Sequence, residues 1–265
     1  MISRPAAPIA ELFSGQPFTR IDVEVGNRTH SVELPQRYYD FGFIMAHFPA
    51  PSWKVRRLLP SRHLQPVMVV PGLALVSIAA FEYRDMEDLE PYNEVAVMVP
   101  VRHDPAINVP LLPLLFTEAY KDLGFYIHCL PVTTQQACDV GVGLWNFPKT
   151  VETITFMESP TTRECQWSRD GNVILTLEVR KGSPRTRAIS YIAYPRKDDA
   201  IVRTLDQTRG QYFQTLFPGG ARLRLGAHPL ADELRKIGMI PLAFGRTYVP
   251  HAQSLLHGPW ERLAA

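Results

Sequence analysis

The stretch Leu144-Trp145-Asn146-Phe147-Pro148-Lys149 sets a lysine directly behind a proline and two large aromatic residues. Lysine normally keeps its ammonium in water. One placed beside Leu144, Trp145 and Phe147 either begins a strand and points to solvent, or is kept dry for use. That use would be nucleophilic. Burial disfavours the charged amine, and a neutral amine attacks a carbonyl carbon to form an imine. Neutrality near pH 7 requires the ammonium to lose about 4 to 5 kcal/mol of its usual advantage, which is within the range that burial supplies.

Two more charges stand in apolar settings. Glu94 leads into residues 94–101, where Val95, Val97, Val99 and Val101 alternate on one face. Ala96 and Met98 share the other face with the carboxylate, so the segment reads as a strand buried on both sides. A carboxylate there either pairs with a cation at a sheet end or lines a pocket. Arg37 precedes the aromatic residues 37–47 (RYYDFGFIMAH) and reads either as a surface arginine at a strand start or as a cation facing a site.

The elements that must position these groups are short and mostly β. With 24 prolines and 16 glycines in 265 residues, many turns are expected. Residues 37–47, 67–83, 94–101, 126–130, 153–156 and 173–179 read as strands, and Asp170-Gly171 reads as a hairpin turn. Helices are expected at residues 52–59 with Ser52 as N-cap, at 110–124 ending at Gly124, and at 229–237 ending at Gly238. Residues 85–90 (DMEDLE) read as a solvated loop.

A net charge of +2 with scattered basic residues makes no electrostatic case for nucleic acid or an anionic membrane. The longest apolar run, residues 66–81, is broken by Pro71 and Gly72 and is too short to span a bilayer. It reads as two buried strands. Three cysteines without a CxxC pattern, and an N-terminus without the apolar core of a signal peptide, point to a reduced, cytoplasmic setting. Gly141-Val142-Gly143 lacks the rest of a nucleotide-binding loop, there is no GxSxG, and His251 and His257 have no metal-ligand spacing. No metal is expected.

Taken together, these segments resemble the acetoacetate decarboxylase family. The most specific part is YIHCLPVTTQQACDVGVGLWNFPKT, residues 126–150, which is similar to the family's strand, loop and strand ending in aromatic-Pro-Lys. The resemblance implies that Lys149 is the Schiff-base nucleophile. Tyr92-Asn93-Glu94 running into VAVMVPV resembles the segment that bears the family's active-site glutamate, and Arg37 resembles an arginine that meets a substrate carboxylate. ARLRLGAHPLADELRKIG resembles the family's late strand and short helix.

The fold so implied is mainly β with minor α: one domain over residues 1–265, with a core at about 37–256, built as an antiparallel β-barrel or cone with short peripheral helices. Its dry interior, with Trp145 and Phe147 lining the substrate site, would keep the amine neutral. The family is itself an established instance of lysine activation by desolvation or a neighbouring cation. The implied activity is a carbon–carbon lyase acting on a small keto acid without a cofactor, and a homo-oligomer is expected. An aldolase or dehydratase acting on a 2-oxo acid, or a non-catalytic ligand-binding member, would keep the same barrel. Three departures are visible. Gly141-Val142-Gly143 stands where family decarboxylases commonly have Gly-Arg-Glu, Thr150 stands where they have a second lysine, and residues 77–80 offer no second glutamate.

Overall fold

A computed structural model describes residues 12–15, 17–197 and 200–264. The chain opens with the hairpin β1 (Thr19–Val25) and β2 (Arg28–Leu34), then β3 (Gln36–Pro51) and the short helix α1 (Ser52–Arg56). Next come β4 (Leu64–Pro66), β5 (Met68–Val70), β6 (Leu73–Met86), β7 (Tyr92–His103) and the single turn α2 (Leu112–Leu115). The central part is β8 (Leu123–Val132), α3 (Gln135–Trp145) and β9 (Lys149–Val151). It continues through β10 (Thr153–Glu158), β11 (Thr162–Arg169), β12 (Asn172–Arg180), β13 (Arg185–Ala193), β14 (Arg196–Lys197) and β15 (Ala200–Thr215). The chain closes with β16 (Ala221–Leu225), α4 (Pro229–Ile237), β17 (Gly245–Leu256) and β18 (Glu261–Ala264).

Seven of these strands close a barrel in the order β7-β6-β3-β17-β15-β13-β8, and β8 pairs back onto β7. Six of the seven seams are antiparallel. The exception is β13 with β8, which meet in parallel at Ala193 and Phe125. The barrel is thus mixed rather than wholly antiparallel. Closure removes the exposed edges that an open sheet would present.

Alternation along the strands sorts side chains into two cores. On β7, Val95, Val97, Val99 and Val101 face outward into a cluster shared with β10, β11 and β12 and with α4, and all four are fully buried. Each such side chain contributes roughly 1.5 to 3 kcal/mol relative to exposure. Tyr92, Ala96 and Met98 face the other way, into the barrel, with Tyr38, Phe41 and Phe43 of β3 and Tyr212 of β15. The outer core exists because a four-stranded sheet, β10-β11-β12-β16, covers one side of the barrel. Both faces of β7 are therefore apolar, as its sequence indicates.

Several local expectations hold. β11 and β12 turn at Asp170 (φ 50°) and Gly171 (φ 77°), with Arg169 opposite Asn172. Helix α4 ends at Gly238, which is left-handed at φ 74°. Residues 66–81 do split into strands, with β5 and β6 meeting around Gly72 at φ 85°. Among the described residues no helix is long and apolar enough to cross a membrane.

Others do not. Ser52 is the first residue of α1 rather than its cap, and the preceding position is Pro51, which makes no side-chain capping bond. Residues 85–90 are not simply solvated, because Glu87 and Asp88 bond to Arg37, Tyr39, Arg20 and the Glu33 amide. The helix expected over residues 110–124 shrinks to α2 and a 3-10 turn at Thr117–Ala119. Leu111 is left-handed at φ 66°, Pro113 follows, and Leu123 and Gly124 are taken up by pairing with Arg102 and Val101 of β7. Gly124 is therefore no helix stop. It marks the tight approach of β8 to β13, where a Cβ would lie 2.5 Å from the Ile192 carbonyl oxygen.

Because that oxygen belongs to backbone at the seam that closes the barrel, Gly124→Ala should be destabilising by about 1 to 3 kcal/mol, the usual cost of overpacking. Chemical denaturation of the variant checks this. An unchanged midpoint would show that the β8–β13 seam yields freely.

Candidate active site

The lysine is delivered by a helix stop. Thr134 caps α3, its Oγ1 accepting from the Ala137 amide at 3.3 Å. Asn146 ends the helix in the left-handed region, with its amide donating to the Val142 carbonyl at 2.9 Å. Phe147 and Pro148 then turn the chain, and Lys149 enters β9 paired in parallel with Leu130 of β8. The aromatic-Pro-Lys pattern is thus the end of a helix and the first residue of a strand. The sequence reading of residues 126–150 as strand, loop and strand missed α3. The capping threonine and the spacing of Ala137, Val140 and Gly141 were the available signals.

Lys149 Nζ lies 2.9 Å from Glu94 Oε2, and both side chains are almost completely buried, at 6% and 7% exposure. The ring against the ammonium is that of Tyr92, with Nζ 5.3 Å from its centroid. The side chain runs across Gly141 of α3, where a Cβ would lie 2.5 Å from Lys149 Cδ and Cε and 3.1 Å from Nζ. Glycine at that crossing leaves the space to the lysine's own methylenes.

Trp145 and Phe147 are buried and stack on each other at 5.7 Å. Trp145 Nε1 donates to the His257 carbonyl at 2.8 Å, fastening the end of α3 to the segment after β17. These two rings fix the turn that presents the lysine, while Tyr92 is the ring in contact with it. Arg37 is not brought to the pair. It is held by Glu33, lies 3.3 Å from Glu87 and stacks on Phe18, on the face of β3 opposite Tyr38. Thr150 alternates away from Lys149 and is exposed.

Three tyrosines beside the pair carry no sequence motif, although Tyr92 sits two residues before Glu94 and so shares its face. Tyr83 hydrogen-bonds Glu94, and Tyr38 and Tyr92 place their hydroxyls 3.5 Å apart. Burial first pushes the hydroxyls of Tyr83 and Tyr92 well above the usual range, with the Glu94 charge next for Tyr83, and Tyr38 and then Glu94 for Tyr92. Burial likewise raises Tyr38. All three keep their protons at any working pH and serve as donors. The cysteines are free thiols. Burial pushes Cys129 up to about 12 and raises Cys165 and Cys138, so none competes as a thiolate.

The N-terminal hairpin locks α3. Arg28 and His30 of β2 reach the buried Asp139 at 2.7 and 3.0 Å, and Gln135 reaches it at 2.8 Å. Burial alone would raise this carboxyl, but the bonds from His30, Gln135 and Arg28 outweigh it and hold it below the usual range. At Gly143 a Cβ would lie 2.4 Å from Val23 Cγ1 of β1. The hairpin therefore occupies the space that a side chain at 143 would need, which gives Gly141-Val142-Gly143 a packing reason at both glycines.

A barrel of this kind has known counterparts. The chain belongs to the acetoacetate decarboxylase (ADC) family, whose model matches residues 24–258. An acetoacetate decarboxylase from Legionella pneumophila superposes with a TM-score of 0.58 at 16% identity, covering 98% of this chain and 99% of that one. The enduracididine biosynthesis enzyme MppR complexed with pyruvate gives 0.56 at 11% identity, covering 87% and 91%. An acetoacetate decarboxylase-like enzyme from Sphingomonas wittichii RW1 gives 0.50 at 20% identity, covering 86% and 92%. At these identities the likeness is one of fold. No curated protein matches the chain.

Gly141→Ala separates positioning from stability. Alanine favours a helix interior over glycine by about 1 kcal/mol, which offsets part of the crowding. The obstructing atoms are the mobile end of a lysine, so the variant should fold with a melting temperature close to wild type. The displaced Nζ should then form imines about 100-fold more slowly, the scale expected for a misplacement near 1 Å. Imine formation at the wild-type rate would show that Gly141 does not position the lysine.

Proposed function

We propose that this protein is a Schiff-base-forming lyase that decarboxylates a 3-oxo acid through Lys149. The observation that carries the reading is the buried contact between Lys149 and Glu94, 2.9 Å apart inside a closed barrel. Membership of the acetoacetate decarboxylase family supports it. Glu94 takes the proton from the ammonium across that contact, and the free amine adds to the ketone. Loss of water leaves an iminium, which draws in the electrons of the breaking carbon–carbon bond as carbon dioxide departs. The resulting enamine takes a proton on carbon, and water releases the ketone product and the lysine. The tyrosine hydroxyls around Glu94 hold the substrate oxygen and relay protons. Trp145 and Phe147 keep the lysine-bearing turn in place. No cofactor is required, and the expected partner is a small keto acid.

Arg37 stands in this proposal as a support of the barrel mouth, through Glu33 and Glu87, rather than as the anchor for a substrate carboxylate. That placement favours one second reading. An enzyme without this anchor could use the same enamine as a nucleophile towards an aldehyde, as an aldolase or dehydratase acting on a 2-oxo acid. The fold shared with a pyruvate-complexed relative is compatible with it.

Borohydride trapping of a panel of 3-oxo and 2-oxo acids, read by mass spectrometry of the peptide that holds Lys149, tests both readings. Lys149→Ala and Lys149→Arg should each abolish the adduct, since arginine stays protonated. Equal trapping by wild type and Lys149→Ala would rule out the nucleophile. Carbon dioxide release from a trapped 3-oxo acid separates the lyase from the aldolase.

Glu94→Gln keeps the shape but not the base. Turnover on the reactive acid should fall by about 100-fold or more with the fold intact. Unchanged turnover and melting temperature would make Glu94 a bystander.

A further inference from the structure

The interior holds a second carboxyl that the proposed cycle leaves unused. Asp206 lies on β15, opposite Tyr191 of β13 and Leu256 of β17 in the strand register. It shares the inward face of β15 with Thr208 and Tyr212, whose side-chain oxygens are 2.5 Å apart. Ser254 of β17 hydrogen-bonds the carboxyl, and Ser254 in turn sits opposite Tyr38 of β3. Asp206 Oδ1 is shielded from water and has no hydrogen-bond partner. In the barrel order, β15 stands three strands from β7 through β13 and β8, and four through β17, β3 and β6. Asp206 thus faces the Lys149–Glu94 pair from across the chamber.

We propose that Asp206 is the catalytic acid that protonates the enamine carbon once the carbon–carbon bond has broken. The proposal rests on the lyase reading above. The role requires the α-carbon of an imine on Lys149 to lie on the β15 side of the barrel interior. The Asp206 proton passes to that carbon, the enamine electron pair forms the new C–H bond, and the nitrogen becomes an iminium again. Water then hydrolyses the iminium and leaves the lysine as the ammonium from which the cycle began, and the Asp206 carboxylate takes its proton back from solvent. The cycle closes with one proton consumed for each 3-oxo acid anion converted to ketone and carbon dioxide.

The surroundings supply the state that this role needs. The groups facing Asp206 are Tyr191, Tyr212 and Thr208, Ser254, Tyr38 and Tyr83, with Glu94 beyond them. Burial pushes the Asp206 carboxyl up to about 7, the Ser254 hydrogen bond pulls the other way, and the Glu94 charge raises it further. Two carboxyls in one chamber are thereby set to different tasks, one against a cation and one still protonated near neutrality.

Proton transfer at the α-carbon can be followed apart from imine formation. Acetone, the smallest ketone that a 3-oxo acid can yield, is incubated with wild type, Asp206→Asn and Asp206→Glu in D2O. Loss of its C–H signal by NMR reports reversible enamine formation, and borohydride trapping of acetone reports the imine. Asp206→Asn should trap at the wild-type rate while exchange falls about 100-fold, and Asp206→Glu should recover part of the exchange. Wild-type exchange in Asp206→Asn, or a parallel loss of trapping and exchange, would overturn the proposal.

A second measurement needs no variant. A 2-substituted 3-oxo acid decarboxylated by wild type in D2O should give one enantiomer of the deuterated ketone, because a fixed acid delivers to one face. A racemic product would rule out a positioned donor. If wild type traps no carbonyl compound, the lyase reading fails, and the role of Asp206 fails with it. Trapping with a racemic product rejects Asp206 alone.

Discussion

A lysine and a glutamate in contact away from water are the constraint around which this molecule is arranged. Taking two charges out of water costs several kcal/mol per ion even after relaxation, and their attraction offsets that only when the geometry is held. Here the holding comes from opposite directions. Glu94 is fixed by β7, whose outward valines are packed under a second sheet, and Lys149 is fixed by α3 and its abrupt stop. A partner lost from such a pair leaves an uncompensated charge in an apolar chamber.

The surroundings of the pair are apolar but not inert. Aromatic rings fill them, and several end in hydroxyls whose protons burial makes very hard to remove. Hydroxyls of this kind orient a carbonyl oxygen and pass protons without adding net charge, which suits a site where every extra ion is expensive. Burial acts on Asp206 in the same direction, pushing its carboxyl up to about 7.

The N-terminal hairpin braces both the helix that delivers Lys149 and the start of β3. It is clamped to α3 through Asp139 and to residues 85–90 through Asp88, and it drives Val23 into the position where a side chain at 143 would go. Arg37 is consumed at the foot of the same hairpin by Glu33. The packing at Gly143 and the ion pair of Arg37 therefore both depend on this one hairpin.

Much of this was legible in the sequence wherever one strand or one local signal carried the information. The alternation in residues 94–101 determined that β7 is buried on both faces and that Glu94 points the same way as Ala96 and Met98. The aromatic-Pro-Lys pattern marked Lys149, and Asp170-Gly171 and Gly238 marked turns through their backbone preferences. Tertiary structure alone decided the rest, because the deciding contacts join residues far apart in the chain. Gly124 looked like a helix stop until β13 came to lie against it, and the distant partner of Arg37, Glu87, is brought to it only by the fold. Asp206 has no neighbour in sequence that distinguishes it. Its environment is made by strands that meet only when the barrel closes. Local periodicity sets which face a residue takes, whereas closure sets what that face meets, and the chemistry of a buried charge depends on the second.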